Sequence, residues 1–307
     1  MTATIAPFVS VIVPIYNQSE RLRWCLEALA HQTYERSRFE VIVIDNDSED
    51  AAAIAAAVAP YDNVRLTFEA TPGSYAARNR GLAIAQGDIF AFTDADCIPA
   101  TDWLAEGVQQ LQLNPDCGQV VGRIELFFAN PKHPTPVELY ERVTAFPQEQ
   151  WLEQFRGGAT ANMLTWRKVM DAVGPFDSQL KSSGDFEWGQ RIYAHGYPQI
   201  YAASVRVLHP ARSSWSELTV RVRRLIGGQY ERQLKAATTP WQRQQVFWRI
   251  FLFHLMPPVF FTMQTLRDRR LPSLSQKLQV AGVMVVVRAI SAWEMLRLKA
   301  GAISSRA

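Results

Sequence analysis

The feature that most restricts the fold is a rhythm in the first hundred residues. Residues 9–14, 40–45, 64–69 and 88–93 are short runs rich in Val, Ile and Phe, which is how buried strands read. Between them lie helical stretches: 19–32 with apolar residues at helical spacing, the Ala-rich 50–59, and 74–86. Strand alternating with helix predicts an α/β fold with a mostly parallel, doubly wound sheet. In such sheets ligands gather outside the carboxyl ends of the strands. The residues just past each run are therefore the informative ones. They are Pro14-Ile15-Tyr16-Asn17, Asp45-Asn46-Asp47-Ser48, Thr71-Pro72-Gly73-Ser74-Tyr75 leading into Arg78-Asn79-Arg80-Gly81, and Asp94-Ala95-Asp96. All four ends bring polar, turn-forming groups to one edge.

An Asp-x-Asp arises by chance about once in a chain of ordinary composition, so Asp94 and Asp96 gain meaning from that convergence. No Gly-x-Gly-x-x-Gly follows the first strand, and no Gly-x-x-x-x-Gly-Lys-Ser/Thr occurs. This argues against a dinucleotide cofactor or a P-loop phosphate cradle. Phosphates at this edge need another neutraliser. A divalent cation held by paired carboxylates, with phosphate oxygens completing its shell, is the available one.

From residue 101 to about 210 the pattern is mixed. Residues 117–128 read as one or two strands, 157–164 as a glycine-rich turn into an apolar segment, 182–188 as the opening of a helix, and 205–208 as a last short strand before His209-Pro210. The remaining stretch, 211–307, is helical. Its apolar segments 246–266 and 278–298 are interrupted by Arg249, His254, Pro257-Pro258, Arg288 and Glu294. A central Arg costs about 2.5–3.5 kcal/mol on insertion scales, so interfacial helices are expected rather than complete spans. Charge is divided along the same line. Residues 1–205 carry a net −10, and residues 206–307, with 17 Lys and Arg against 4 Asp and Glu, carry +13. A basic third of this kind suits phosphates, of nucleic acid or of anionic lipid. The arginines are interleaved with apolar stretches, which favours lipid and argues against nucleic acid. Cys25, Cys97 and Cys117 have no metal-ligand spacing and read as reduced thiols. The N-terminus MTATIAPFVSVIVP has no secretory pattern, and a cytoplasmic protein is expected.

The segments VSVIVPIYN, VIDNDSED, SYAARNRGLAIAQGDIFAFTDADC and SSGDFEWGQRIYAHGY, in that order over residues 8–210, together resemble family-two glycosyltransferases of the GT-A fold. The resemblance implies an inverting enzyme that moves a sugar from a nucleotide diphosphate sugar to an acceptor hydroxyl. It implies a nucleotide-sugar half over 1–100 and an acceptor half over 101–210. The extension 211–307 is expected to touch a membrane peripherally. By position, Pro14, Tyr16 and Asn17 fall where the family's first loop touches the nucleotide. Asp45 matches the acid that hydrogen-bonds the base, with Asp47 close behind, and Arg78 and Asn79 face base and diphosphate. Asp94 and Asp96 match the metal and diphosphate motif, with Asp96 the direct ligand of Mn²⁺ or Mg²⁺. His209 lies where several relatives place a further ligand, and Asp185 matches the general base. Many relatives carry Glu before that Asp, where this chain has Gly184, so Glu187 stays open as the base.

Each assignment has a structural counterpart. Asp45 can cap the next helix, Asp94 and Asp96 a turn, and Asp185 its own helix. Glu187 can pair with Arg191, His209 can be a hydrogen-bonded core histidine, and Arg78 and Arg80 can be solvated helix charges. The expected function is synthesis of a polysaccharide or glycolipid at the cytoplasmic face of a membrane, with a glycan or lipid-linked acceptor. The alternatives are a nucleotidyltransferase, which would want a basic Gly-rich phosphate loop absent here, and a non-catalytic membrane-associated nucleotide-sugar-binding protein.

Overall fold

A computed structural model describes residues 6–304. In chain order the elements are β1 (Val9–Ile15), α1 (Ser19–Ala30), β2 (Phe39–Asp45), α2 (Ala51–Val58), β3 (Val64–Phe68), α3 (Ser74–Ile84) and β4 (Ile89–Thr93). There follow β5 (Ile98–Pro99), α4 (Trp103–Leu113), β6 (Gln119–Phe127), α5 (Pro136–Thr144), α6 (Gln148–Phe155), β7 (Asn162–Trp166), α7 (Arg167–Val173), α8 (Gly184–Ala194) and β8 (Gln199–Pro210). Four helices close the chain: α9 (Trp215–Ala236), α10 (Pro240–Leu255), α11 (Val259–Arg267) and α12 (Leu274–Lys299).

The strands form one eight-stranded sheet in the order β3-β2-β1-β4-β7-β6-β8-β5. Strand β1 pairs in parallel with β2 on one side and β4 on the other, and β2 pairs in parallel with β3. Beyond β4 the pairings β4–β7, β6–β7 and β5–β8 are antiparallel. The chain winds outward from β1 through β2 to β3 and then returns to the other side of β1. The carboxyl ends of β1 and β4 thus flank the topological switch point, where a ligand crevice opens in a sheet of this kind. Every residue of β1 is buried, and so is every residue of β4. Continuous apolar runs are what a strand covered on both faces requires.

The last strand is longer than the expected 205–208. In β8 Val205, Val207 and His209 are buried while Arg206 and Leu208 are exposed. The two-residue period of a strand carries the buried phase past the apolar residues and turns His209 inward. A short apolar window does not see such an alternating strand.

The chain divides into two compact units. The first comprises Met1–Glu125, Phe146–Gln179 and Gly184–His209; the second comprises Leu126–Ala145, Leu180–Ser183 and Pro210–Ala307. The first unit is built on the sheet, with Trp103 and Trp188 fully buried. The second is helical, with a core that includes Val137, Leu139, Leu218, Val222, Val280, Val283 and Met295. Its helices begin where the sequence can satisfy their first amide groups. Thr135 with Glu138, Ser214 with Glu217 and Thr239 with Gln242 form reciprocal capping boxes ahead of α5, α9 and α10.

By length and composition α12 is apolar enough to cross a membrane, though 39% of that stretch is buried within the protein. Helices α10 and α11 pass the same test as a pair, bent by 46° at the break between them. That break contains Pro257 and Pro258, which interrupt the helical hydrogen-bond ladder. Arg288, in the middle of α12, donates to the carbonyl of Phe253 and stacks on its ring.

Candidate active site

The loops beyond the first three strands are tied to one another. The amide of Asn17, at φ 51°, donates to Ser48 Oγ (2.9 Å), and its own Oδ1 accepts from Glu49 N (2.7 Å). Asn46 donates through Nδ2 to the carbonyls of Glu69 and Thr71 and accepts from Gly73 N at 2.7 Å. Buried Asp45 accepts from Ser48 N at 3.0 Å. Pro14 is a buried residue of β1 itself, whereas Tyr16 stands 49% exposed just past the strand. Asp47, at φ 66°, is exposed. Asn79 donates to Phe176 O (2.8 Å) and accepts from Phe176 N (3.0 Å), so its amide holds a neighbouring chain segment.

At the end of β4 the two aspartates part company. Arg78, whose side chain is 4% exposed, makes an ion pair with Asp94. Arg80 is exposed, which settles which of the two arginines reaches the strand end. Asp96 instead approaches His209, with Oδ1 3.7 Å from Nε2, and Arg21 Nη1 lies 3.6 Å from Oδ2. The ring of Phe146 packs against His209 with centroids 4.8 Å apart. A separation of 3.7 Å exceeds a hydrogen bond and suits two ligands of one ion at metal–ligand distances of about 2.0–2.3 Å.

The ligand atoms of Asp96, Cys97 and His209 all lie within 4.8 Å of one another. Burial first, then the nearby charges of Asp96 and Asp94, push the Cys97 thiol well above its usual range. Thiol sulfur suits softer metals, so the donors of this group that fit a hard divalent cation are Asp96 and His209.

Asp185 opens α8. Its Oδ1 accepts from Tyr75 OH at 3.2 Å and from its neighbour Phe186 N at 3.0 Å. Tyr75 OH in turn accepts from Gly184 N at 2.8 Å. A Cβ at Gly184 would stand 2.7 Å from the Tyr75 ring, so the ring needs glycine there. This is a physical reason for the absence of Glu before Asp185. Loss of solvation raises the Asp185 pKa against the opposing pull of Arg78, Phe186 N and Tyr75. Glu187 pairs with Arg191 at 2.8 Å, and Arg191 also donates to Val173 O and Pro175 O. Of the two carboxylates, Asp185 is the one aimed at α3.

Tyr75 links the two halves of the site. On α3 it precedes Arg78 by three residues, the spacing that puts both on one helix face, and the Arg78 guanidinium carbon lies 5.9 Å from its ring. One end of this pair reaches Asp185 and the other Asp94. Neither Tyr75 nor Arg21 was singled out as a site residue in the sequence. For Tyr75 the three-residue spacing was an available signal; for Arg21 there was none.

Residues 10–174 match the sequence profile described as glycosyl transferase family 2. The chain is 37% identical over 234 residues to glycosyltransferase AglE of Haloferax volcanii, a match covering 75% of each chain. It is 35% identical over 106 residues to the amylovoran biosynthesis glycosyltransferase AmsB of Erwinia amylovora, covering 33% of each. In three dimensions it is similar to mannosyltransferase PcManGT of Pyrobaculum calidifontis, solved with GDP-mannose and Mn²⁺. The TM-score is 0.61 at 20% identity, covering 96% of this chain and 87% of that one.

Proposed function

The chain belongs to glycosyl transferase family 2 and has the GT-A fold, and we propose that it transfers its sugar with inversion, with Asp185 as the general base. It is a glycosyltransferase, and a nucleotide sugar is its donor. The observation that carries the base assignment is the hydrogen bond from Tyr75 to a carboxylate whose pKa burial raises. A base is most effective when its pKa approaches the working pH. Asp185 takes the acceptor hydroxyl proton as that oxygen attacks the anomeric carbon. The bond to the acceptor forms while the bond to the diphosphate breaks on the opposite face, so one displacement inverts the configuration.

Asp96 and His209 would hold the divalent cation, and the cation would offset the negative charge of the departing nucleoside diphosphate. An imidazole beside a carboxylate suits Mn²⁺ better than Mg²⁺, which prefers oxygen, and the Pyrobaculum enzyme was solved with Mn²⁺. Arg78, fixed by Asp94, supplies positive charge at the diphosphate. Asp45, Asp47, Tyr16 and Asn17 surround the nucleotide from the first two loops, above the buried Pro14; Asn79 supports that edge through Phe176.

The acceptor is a glycan or lipid-linked glycan met at the cytoplasmic face of a membrane. The polysaccharide role of AmsB supports that class. So does the helical unit, where Trp241, Phe260, Val259 and Trp293 are exposed at 70%, 74%, 61% and 58%. Exposed aromatic and apolar side chains on a basic background suit peripheral attachment to anionic lipid.

The test is a thermal-shift titration of the full chain with UDP-, GDP- and dTDP-sugars, GDP-mannose first, with Mn²⁺ or with EDTA. One donor should stabilise the protein in Mn²⁺ and fail to do so in EDTA. Equal stabilisation in EDTA would contradict the metal role. No stabilisation by any donor would contradict the nucleotide-sugar reading of the crevice.

A further inference from the structure

Gly227 and Gly228 lie side by side within α9, and each makes room for a serine. A Cβ on Gly228 would fall on Ser182 Oγ, and one on Gly227 would lie 2.6 Å from Ser304 Cβ. Glycine inside a helix is unfavourable, so the close approach of two other segments is what these positions provide. Lys181 joins all three segments. Its Nζ donates to Glu231 Oε1 at 2.8 Å and to Ser304 Oγ at 2.6 Å. Ser304 Oγ donates to the same Glu231 oxygen. Glu231 follows Gly227 by four residues and therefore shares its helix face. The Lys181 side chain is 13% exposed, and Ser182 and Ser304 are buried.

All of these contacts belong to the helical unit, which claims Leu180–Ser183 as its own. The next residues along the chain are Gly184 and Asp185. Just before them, Ser183 adopts φ 61°, a left-handed conformation that a non-glycine residue keeps only where its surroundings over-determine it. The contacts on one side of Ser183 are those of Lys181 and Ser182; on the other side is the Gly184 amide held by Tyr75.

We propose that Lys181, Glu231, Ser304 and the Gly227-Gly228 pair are positioning residues for Asp185: they fix the segment 181–183 and so set where α8 begins. This rests on Asp185 being the base. Ser182 on Gly228 and Lys181 on Glu231 are attachments of the loop to α9 that do not involve the C-terminal tail. The tail adds a third through Ser304.

The test combines amide hydrogen exchange with turnover on the full chain, comparing Lys181→Met, Lys181→Arg and Gly228→Ala. Lys181→Met and Gly228→Ala should raise exchange of residues 183–188 at least tenfold while peptides from the parallel strands stay unchanged. Release of nucleoside diphosphate from a UDP-, GDP- and dTDP-sugar panel in Mn²⁺ should lose at least tenfold in kcat, with donor KM within twofold. Lys181→Arg, which keeps the charge, should recover most of both. Unchanged local exchange in both disruptive variants, or raised exchange with full kcat, overturns the proposal. Asp185→Asn separates this from the reading beneath it, since it should stop turnover without raising exchange of residues 183–188. If Asp185→Asn stays active, the base assignment fails and a positioning role for that base fails with it, whatever the exchange shows.

Discussion

Asp185 and Tyr75 carry most of the chemistry argued above, and their environment makes two predictions. Burial raises the Asp185 pKa against the pull of Arg78, Phe186 N and Tyr75. A raised folded pKa means that the stability Asp185 contributes is present below its unfolded pKa and is lost as pH rises through the folded value. At neutral pH its ionised form is therefore a stability cost borne for function. Asp185→Asn should lower turnover by about 10²–10⁴-fold. It should also raise the melting temperature at neutral pH, and the difference should vanish under acid conditions. A variant that is both active and no more stable would contradict the assignment. Tyr75→Phe removes a bond that holds the Asp185 pKa down, so the acid limb of the kcat profile should move to higher pH. An unmoved limb would show that another group governs it. The placement of Asp94 and Asp96 just past a strand and of Asp185 at a helix start was legible in the sequence, because the alternation of elements fixes where strands end and helices begin. The pairing of Asp94 with Arg78 and of Asp96 with His209 was not. It depends on Arg78 and His209, which arrive from elements distant in sequence.

At the scale of elements, the parallel half was readable to within a residue or two because buried strands and their crossover helices have distinct periods. The basic C-terminal third was less so. Its arginines read as lipid-facing, yet Arg212 and Arg221 pair with fully buried Glu141, and Arg223 and Arg297 with Glu294. Summed charge does not say which groups face inward. Removing one partner of a buried pair costs about 3–5 kcal/mol, so Glu141→Ala should cost that much in chemical denaturation, whereas a loss below about 1 kcal/mol would mean solvent reaches the arginines. The remaining charge and the exposed Trp241 and Phe260 predict flotation with anionic vesicles. Binding should weaken in high salt and be reduced by Phe260→Glu. Equal binding to neutral vesicles in high salt would indicate insertion rather than surface attachment.

For the whole molecule, the sheet order places the switch point between β1 and β4, and the strand ends there supply the loops proposed to meet the donor. The parallel winding was implied by the alternation of elements. The antiparallel half was not, because β6, β7 and β8 pair across long separations that no local pattern encodes. The central proposal is a single displacement at the anomeric carbon, with a base on one face and a leaving diphosphate on the other. NMR of the first product formed by the full chain from a donor of known anomeric configuration tests that claim most directly. The anomeric coupling and shift should report inversion relative to the donor; retention would contradict the single displacement and the role given to Asp185.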